Sequence, residues 1–234
     1  METPENFMFY AISTTVVVSY VYYLILDKIK LENTYNNPKK ERKQFLIRKI
    51  SGFLILGLIP VTFAAVFFEF NPQLYLGFSG SASFHWDLQA FVIILLLLIN
   101  FINARNADLQ SKYPEMRIKR WSEKSLLVAW LGWFIYLMGY EYLFRGVLLF
   151  SCIDAFGIGP AVVINLALYS ALHLPKGFKE AIAAIPFGAF LCYITIESNS
   201  IIPAILIHAI QAISAEFSCI YRNKEMLLTN KLTS

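Results

Sequence analysis

The chain has 234 residues, of which 57% are hydrophobic, 16% are aromatic and only 15% are charged. Soluble domains carry about 25% charged residues, so this composition excludes an ordinary soluble fold and indicates a membrane protein. The formal net charge of +4 is concentrated in the connections between apolar runs. That distribution argues against a nucleic-acid-binding surface.

Apolar runs of close to 20 residues recur along the whole chain, and each is long enough to cross a hydrocarbon layer about 30 Å thick. We therefore predict an all-α fold, a polytopic transmembrane helical bundle that forms a single integral membrane domain over residues 1–234. In chain order, the predicted spans are residues 7–26, 51–70, 87–104, 125–151, 158–174, 181–197 and 200–220.

The connections between these spans alternate in basic content. Residues 27–50 hold eight Lys and Arg and residues 105–124 hold six, whereas residues 71–86 and 152–157 hold none. Basic connections stay on the cytoplasmic side of a membrane. The alternation therefore predicts an N-terminus outside and a C-terminus in the cytoplasm.

Ionisable side chains lie inside the later predicted spans, namely Glu141, Arg145, His173 and His208. A charge in hydrocarbon costs about 2.5–3.5 kcal/mol on insertion scales, so such residues are rare and usually functional. A rise of about 1.5 Å per residue puts Glu141, His173 and His208 in the middle of the bilayer, where we expect them to share a site.

Each of these residues also has a simpler interpretation. Either histidine is equally compatible with a hydrogen-bonded core residue, and Glu141 with Arg145 fits a neutralising i,i+4 ion pair. For Asn100 and Asn165, hydrogen bonding between helices is expected.

Three motifs in order resemble the CPBP family, which comprises CAAX prenyl proteases and bacteriocin-processing or immunity (Abi) proteins. The family's Glu-Glu-x-x-x-Arg motif reads Tyr140-Glu141-Tyr-Leu-Phe-Arg145 here. Its Phe-x-x-x-His motif reads Tyr169-Ser-Ala-Leu-His173, and its His-x-x-x-Asn/Asp motif reads His208-Ala-Ile-Gln-Ala212. The resemblance covers residues 125–215, which we predict to be the catalytic core.

Two positions depart from the family pattern. The first glutamate, which the family uses with the motif-two histidine to activate water, is Tyr140 here, and the motif-three Asn/Asp is Ala212. A phenol with a pKa of about 10 is a poor base at neutral pH, so that role falls to Glu141. Some bacterial relatives resemble this variant and carry an acidic residue two turns after the last histidine, the place of Glu216 here.

The resemblance implies a metal-independent intramembrane endopeptidase of the glutamic type, without a cofactor. Its substrate would be a hydrophobic peptide or a membrane protein, cleaved near a hydrophobic or membrane-embedded terminus. Glu141 and His173 would activate a water molecule, and His208 would donate to the developing oxyanion. The implied supporting residues are Arg145, which would orient Glu141 or hold a substrate carboxylate, together with Tyr140, Tyr169 and Glu216, the last of which would fix the tautomer of His208.

Other functions stay open. An inactive relative would bind a hydrophobic peptide as a bacteriocin immunity or regulatory factor. Two histidines and a glutamate are also a typical set of ligands for catalytic zinc, although the sequence has no His-Glu-x-x-His. Intramembrane charges suit a transporter or proton channel too, although the sequence shows no inverted repeat. The small size and the family favour a bacterial cytoplasmic membrane, with the lipid bilayer as a partner.

Overall fold

A computed structural model describes residues 4–28, 37–67 and 86–229. Its fold is essentially all-α, which confirms the predicted class. The elements in chain order are α1 (Pro4–Lys28), α2 (Pro38–Gly52), a π-helical segment (Phe53–Leu58), α3 (Ile59–Phe67), α4 (Trp86–Asn103), α5 (Ala107–Lys112), β1 (Arg120–Ser122), α6 (Glu123–Glu141), a second π-helical segment (Tyr142–Leu149), α7 (Phe150–Phe156), α8 (Ile158–Ala171), a 3₁₀ turn (Leu174–Lys176), α9 (Phe178–Ser198), α10 (Ile202–Arg222) and β2 (Leu227–Thr229).

Within these described ranges, seven helices are long and apolar enough to cross a membrane, as predicted. We therefore conclude that the chain is an integral membrane protein. The seven helices are Asn6–Leu24, Pro38–Phe67, Trp86–Asn103, Glu123–Phe156, Ile158–Lys176, Phe178–Ser198 and Ile202–Arg222.

The predicted start of the second span at residue 51 is wrong, because the helix begins at Pro38 inside the predicted basic connection. Proline suits the first helical position, where no backbone N–H is needed. The charged residues that follow find polar partners. The Glu41 carboxylate accepts from the Arg117 backbone N–H at 3.2 Å, and Arg42 Nη1 donates to Ser125 Oγ at 3.0 Å. Residues 68–70 of the predicted span lie outside the described residues.

The chain divides into two compact units, each assembled from separate stretches of sequence. The first unit takes in α1, the segment Phe53–Leu58, α3, the last turn of α6, the segment Tyr142–Leu149, α7, α8 and α9. Its centre is the segment Tyr142–Leu149, which α3, α7, α8 and α9 all contact. Fully buried apolar side chains of this segment are Leu143, Phe144, Val147, Leu148 and Leu149.

A pair of glycines lets two helices of the first unit approach closely. A Cβ atom added to Gly57 would lie 2.4 Å from the Gly139 Cα, and one added to Gly139 would lie 2.9 Å from the Phe53 carbonyl oxygen. Small residues permit such backbone contact between membrane helices. Since Gly139 directly precedes Tyr140 and Glu141, this contact fixes the helix just before the first motif.

The second unit takes in α2, α4, α5, β1, α6 up to Leu137, α10 from Leu206, and β2. Its short parallel sheet pairs Arg120 with Leu227 and Ser122 with Thr229. No sequence pattern predicts this sheet, because each strand has only three residues. The pairing ties the chain after α10 to the start of α6, where Trp121 is fully buried.

Within the second unit, Asn100 joins α4 to α10 as expected. Its side-chain Nδ2 donates to the Gln211 carbonyl oxygen at 3.0 Å, to Gln211 Oε1 at 3.0 Å and to Ser214 Oγ at 2.6 Å. Asn100 is 5% exposed. An amide buried among apolar residues requires such partners.

Candidate active site

Glu141 and Arg145 are both completely buried and form an ion pair. Glu141 is the last residue of α6, and Arg145 lies one turn further on, in the π-helical segment. Arg145 Nη1 lies 3.2 Å from Glu141 Oε2 and 3.4 Å from Glu141 Oε1. The predicted i,i+4 ion pair is therefore present. A buried charge pair of this kind offsets its own desolvation poorly, so it is weak evidence for a purely stabilising role.

Tyr169 links this ion pair to the second motif. The Arg145 guanidinium carbon lies 4.3 Å from the centre of the Tyr169 ring, a cation–π distance. The ring of Tyr140 packs edge-on against Tyr169 at 5.8 Å, and the imidazole of His173 lies 4.7 Å from the same ring. We call Tyr140, Glu141, Arg145, Tyr169 and His173 the motif cluster.

Helix α9 supports the motif cluster at a glycine. A Cβ atom on Gly188 would lie 2.9 Å from Tyr169 Cδ1, so the absence of a side chain lets α9 reach the ring. The Gly188 carbonyl oxygen lies 3.5 Å from Arg145 Nη2 and accepts its hydrogen bond. The helix between motifs two and three thus contributes a backbone acceptor to the site.

His173 lies within the predicted span 158–174, which the structure gives as Ile158–Lys176, but two residues beyond the end of α8. The α-helix ends at Ala171, four residues before Pro175, which has no N–H to donate to the Ala171 carbonyl oxygen. The Nδ1 of His173 lies 2.8 Å from the Tyr169 carbonyl oxygen. Since a carbonyl only accepts, Nδ1 carries the hydrogen, and a neutral ring then presents Nε2 as an acceptor.

His208 and Glu216 belong to the second unit, both on α10. His208 is half-buried. Glu216 is 2% exposed, and its Oε1 accepts from Trp133 Nε1 at 2.9 Å and from the Glu115 backbone N–H at 3.0 Å. These partners favour a structural role for Glu216 over the predicted action on the His208 tautomer, which stays a prediction.

Glu216 stands beside a charged group that the sequence analysis did not identify. The Lys49 ammonium nitrogen lies 3.0 Å from Glu115 Oε2 and 3.0 Å from the centre of the Trp133 ring. Arg48 Nη2 also contacts Glu115 Oε2, at 3.4 Å. Basic residues before an apolar run are typical of a solvated connection, so no local signal could have indicated that Lys49 is buried.

Asn165 is a buried polar residue of the first unit that lies close to the motif cluster in sequence and bonds to the π-helical segment. It is completely buried on α8, and its Nδ2 donates to the Phe144 carbonyl oxygen at 2.7 Å. This hydrogen bond between helices is of the expected kind. Among the residues that the structure describes, no three His, Cys, Asp or Glu side chains come together as a metal-ligand set.

Comparison with known protein families gives a match over part of the chain. The family described as type II CAAX prenyl endopeptidase, Rce1-like, matches residues 122–213, a stretch that contains all three motifs. Neither curated proteins nor solved structures show a match to the chain. The match covers 92 of the 234 residues, which is less than half of the chain. It confirms the resemblance indicated by the motifs: over residues 122–213 this integral membrane protein is similar to the type II CAAX prenyl endopeptidases of the Rce1-like family.

Proposed function

We propose that the chain is an intramembrane glutamic endopeptidase of the CAAX protease type. The observation that carries the proposal is the arrangement of the motif cluster. A completely buried Glu141–Arg145 pair contacts Tyr169, whose ring in turn lies against His173. Intramembrane ionisable residues that converge on one place are typical of a functional site.

In the proposed reaction, Glu141 is the general base and His173 positions the water through its Nε2 acceptor. The carboxylate takes a proton from the water, whose oxygen attacks the peptide carbonyl carbon. His208 donates to the resulting oxyanion. The carbon–nitrogen bond then breaks, and the proton held by Glu141 passes to the departing amine, so that no metal or cofactor takes part.

Arg145 has a supporting role in this proposal. Its two contacts with the Glu141 carboxylate, at 3.2 Å and 3.4 Å, limit rotation of that group. Its place against the Tyr169 ring limits the motion of Arg145 in turn. We infer that the pair keeps the base in a fixed orientation before substrate binds.

The proposed substrate is a hydrophobic peptide or the terminus of a membrane protein, delivered through the bilayer of a bacterial cytoplasmic membrane. The family match supports a membrane-embedded substrate, since its description names CAAX prenyl endopeptidases. Active-site side chains buried in apolar spans also favour a hydrophobic chain over a soluble one.

The test is hydrolysis of a fluorogenic hydrophobic-peptide library by the purified chain in nanodiscs. Glu141→Gln and His173→Ala should each lose at least about 100-fold in kcat, the lower end of the usual contribution of a general base. Ser170→Ala, a change at a half-buried residue of the second motif between Tyr169 and His173, serves as the control. Hydrolysis that survives Glu141→Gln would sink the proposal.

A second candidate function is peptide binding without hydrolysis, as in an immunity or regulatory factor. The observation in its favour is Tyr140, which stands at the family's first glutamate. It is 4% exposed and stacks on Phe144 at 4.7 Å. Under this alternative, Tyr140→Glu creates activity in a chain that had none, whereas an active wild-type enzyme gains nothing from the change.

A further inference from the structure

We propose that Asn165 is a positioning residue of the candidate active site. It would hold the segment Tyr142–Leu149, and with it Glu141 and Arg145, in register with His173. The inference rests on the proposed protease function for its effect on catalysis, but its geometric part can be tested without activity.

The Asn165 amide joins three separate elements of the first unit. Its Nδ2 donates to the Phe144 carbonyl oxygen at 2.7 Å, and its Oδ1 accepts from the Cys192 thiol at 3.3 Å. Phe144 lies in the π-helical segment, Asn165 on α8 and Cys192 on α9. With the amide completely buried, no water can replace either partner.

The Asn165 hydrogen bond reaches the segment at its π-helical part. A π-helix shifts the backbone hydrogen bonds by one residue, and such segments are frequent at functional sites. The second lone pair of a helical carbonyl can accept an additional donor from a neighbouring helix. Asn165 supplies such a donor to the Phe144 carbonyl, which is adjacent to Arg145.

Asn165 and Tyr169 make a two-point contact with the segment. They are four residues apart and therefore lie on one face of α8. Asn165 bonds to the backbone of Phe144, and the Tyr169 ring packs on the guanidinium of Arg145 at 4.3 Å. Two such points fix both the rotation and the translation of the segment against α8, which leads directly to His173.

A hydrogen bond that acts only within its own helix should lack this effect. Ser151 provides the matched control, since it is 1% exposed and donates to the Leu148 carbonyl oxygen of the same segment at 3.1 Å. Ser151 lies on α7, the direct continuation of the segment, so its hydrogen bond contributes nothing to the register with α8.

The experiment compares Asn165→Leu, which has similar volume and no polar atom, with Ser151→Ala in the full chain in nanodiscs. For the wild type and both variants, kcat and KM are measured on the same peptide, together with hydrogen exchange of the amides in residues 142–149 and 202–222. We expect Asn165→Leu to lower kcat by about 100-fold, with KM changed much less, because small displacements of reacting groups have effects of that size. Ser151→Ala should stay near wild type.

Hydrogen exchange separates failure of this inference from failure of the proposed function. If the wild type cleaves no peptide, the protease proposal fails. Faster exchange confined to residues 142–149 in Asn165→Leu would still support the positioning role. Exchange there equal to that of Ser151→Ala would overturn it. In an active enzyme, equal kcat values for Asn165→Leu and Ser151→Ala would overturn it as well.

Discussion

At Arg145, one guanidinium contacts a carboxylate, an aromatic face and a backbone carbonyl, all in a place without solvent. Replacing it with methionine keeps most of the side-chain length and removes the charge. Glu141 is then left buried without its counter-charge, a situation that costs about 3–5 kcal/mol. We expect Arg145→Met to lower the free energy of unfolding by this amount in reversible denaturation from mixed micelles.

The double variant Glu141→Gln with Arg145→Met is the control for this prediction. It removes both charges, so its free energy of unfolding should lie closer to wild type than that of Arg145→Met alone. If the double variant is less stable by the full sum of the two single effects, the ion pair has no energetic coupling and the prediction is wrong.

The sequence predicted the ion pair but not the way in which its neighbours hold it. Glu141 and Arg145 are four residues apart on one helix, and a helical spacing alone brings them together. The Asn165 hydrogen bond to Phe144 joins residues 21 positions apart, and Glu216 and Trp133 are 83 positions apart. Contacts of that kind depend on how helices pack, which no local pattern determines.

At the level of elements, the Gly57–Gly139 contact leads us to predict that a side chain at Gly57 lowers the stability of the fold. A Cβ atom at Gly57 has no room, since it would lie 2.4 Å from the Gly139 Cα. Either the two helices separate or the backbone bends, and overpacking of this kind costs about 1–3 kcal/mol. Gly57→Ala should therefore lower the midpoint of thermal unfolding in detergent.

Gly159→Ala is the matched control, because a Cβ atom there would meet nothing within 4 Å. Gly159 lies in the first turn of α8, where alanine is a better helix former than glycine. Its unfolding midpoint should stay level or rise. Equal decreases for both variants would show that the Gly57 contact has no special importance.

The ends of some helices can be predicted well from the sequence. Trp86–Asn103 and Ile158–Lys176 are bordered by turn-forming or polar residues, and their predicted ranges agree to within two residues. The sequence does not predict the start of α2 at Pro38, because the lysines and arginines that follow are typical of a connection between spans. Arg42 and Arg48 bond to Ser125 and Glu115, and Glu41 accepts from the Arg117 backbone N–H, all residues more than 60 positions away.

For the whole molecule, the alternation of basic connections predicts a definite orientation in the membrane. The three native cysteines are all buried, so they should react slowly with a membrane-impermeant maleimide. The labelling of an added cysteine therefore shows on which side of the membrane that residue lies. In intact cells we expect labelling of Phe156→Cys, in the predicted outer connection between spans four and five. Arg105→Cys should be labelled only after the membrane is permeabilised.

Each cysteine variant is the control for the other, since both positions are exposed in the structure. If Arg105→Cys is labelled in intact cells and Phe156→Cys only after permeabilisation, the protein has the opposite orientation in the membrane. Labelling of both positions in intact cells would mean that the alternating charge does not determine the topology of this chain.

The Asn100 contacts have a consequence for how the chain is made. Gln211, which accepts from the Asn100 amide, is 111 residues further along the chain, and Ser214 is 114 residues further. At about 5–20 residues per second, a ribosome needs about 6–22 s to synthesise that interval. During that time α4 has been synthesised but the native acceptors on α10 have not. Biogenesis of this protein therefore includes a waiting period in which the insertion machinery, lipid headgroups or water must accommodate a polar side chain.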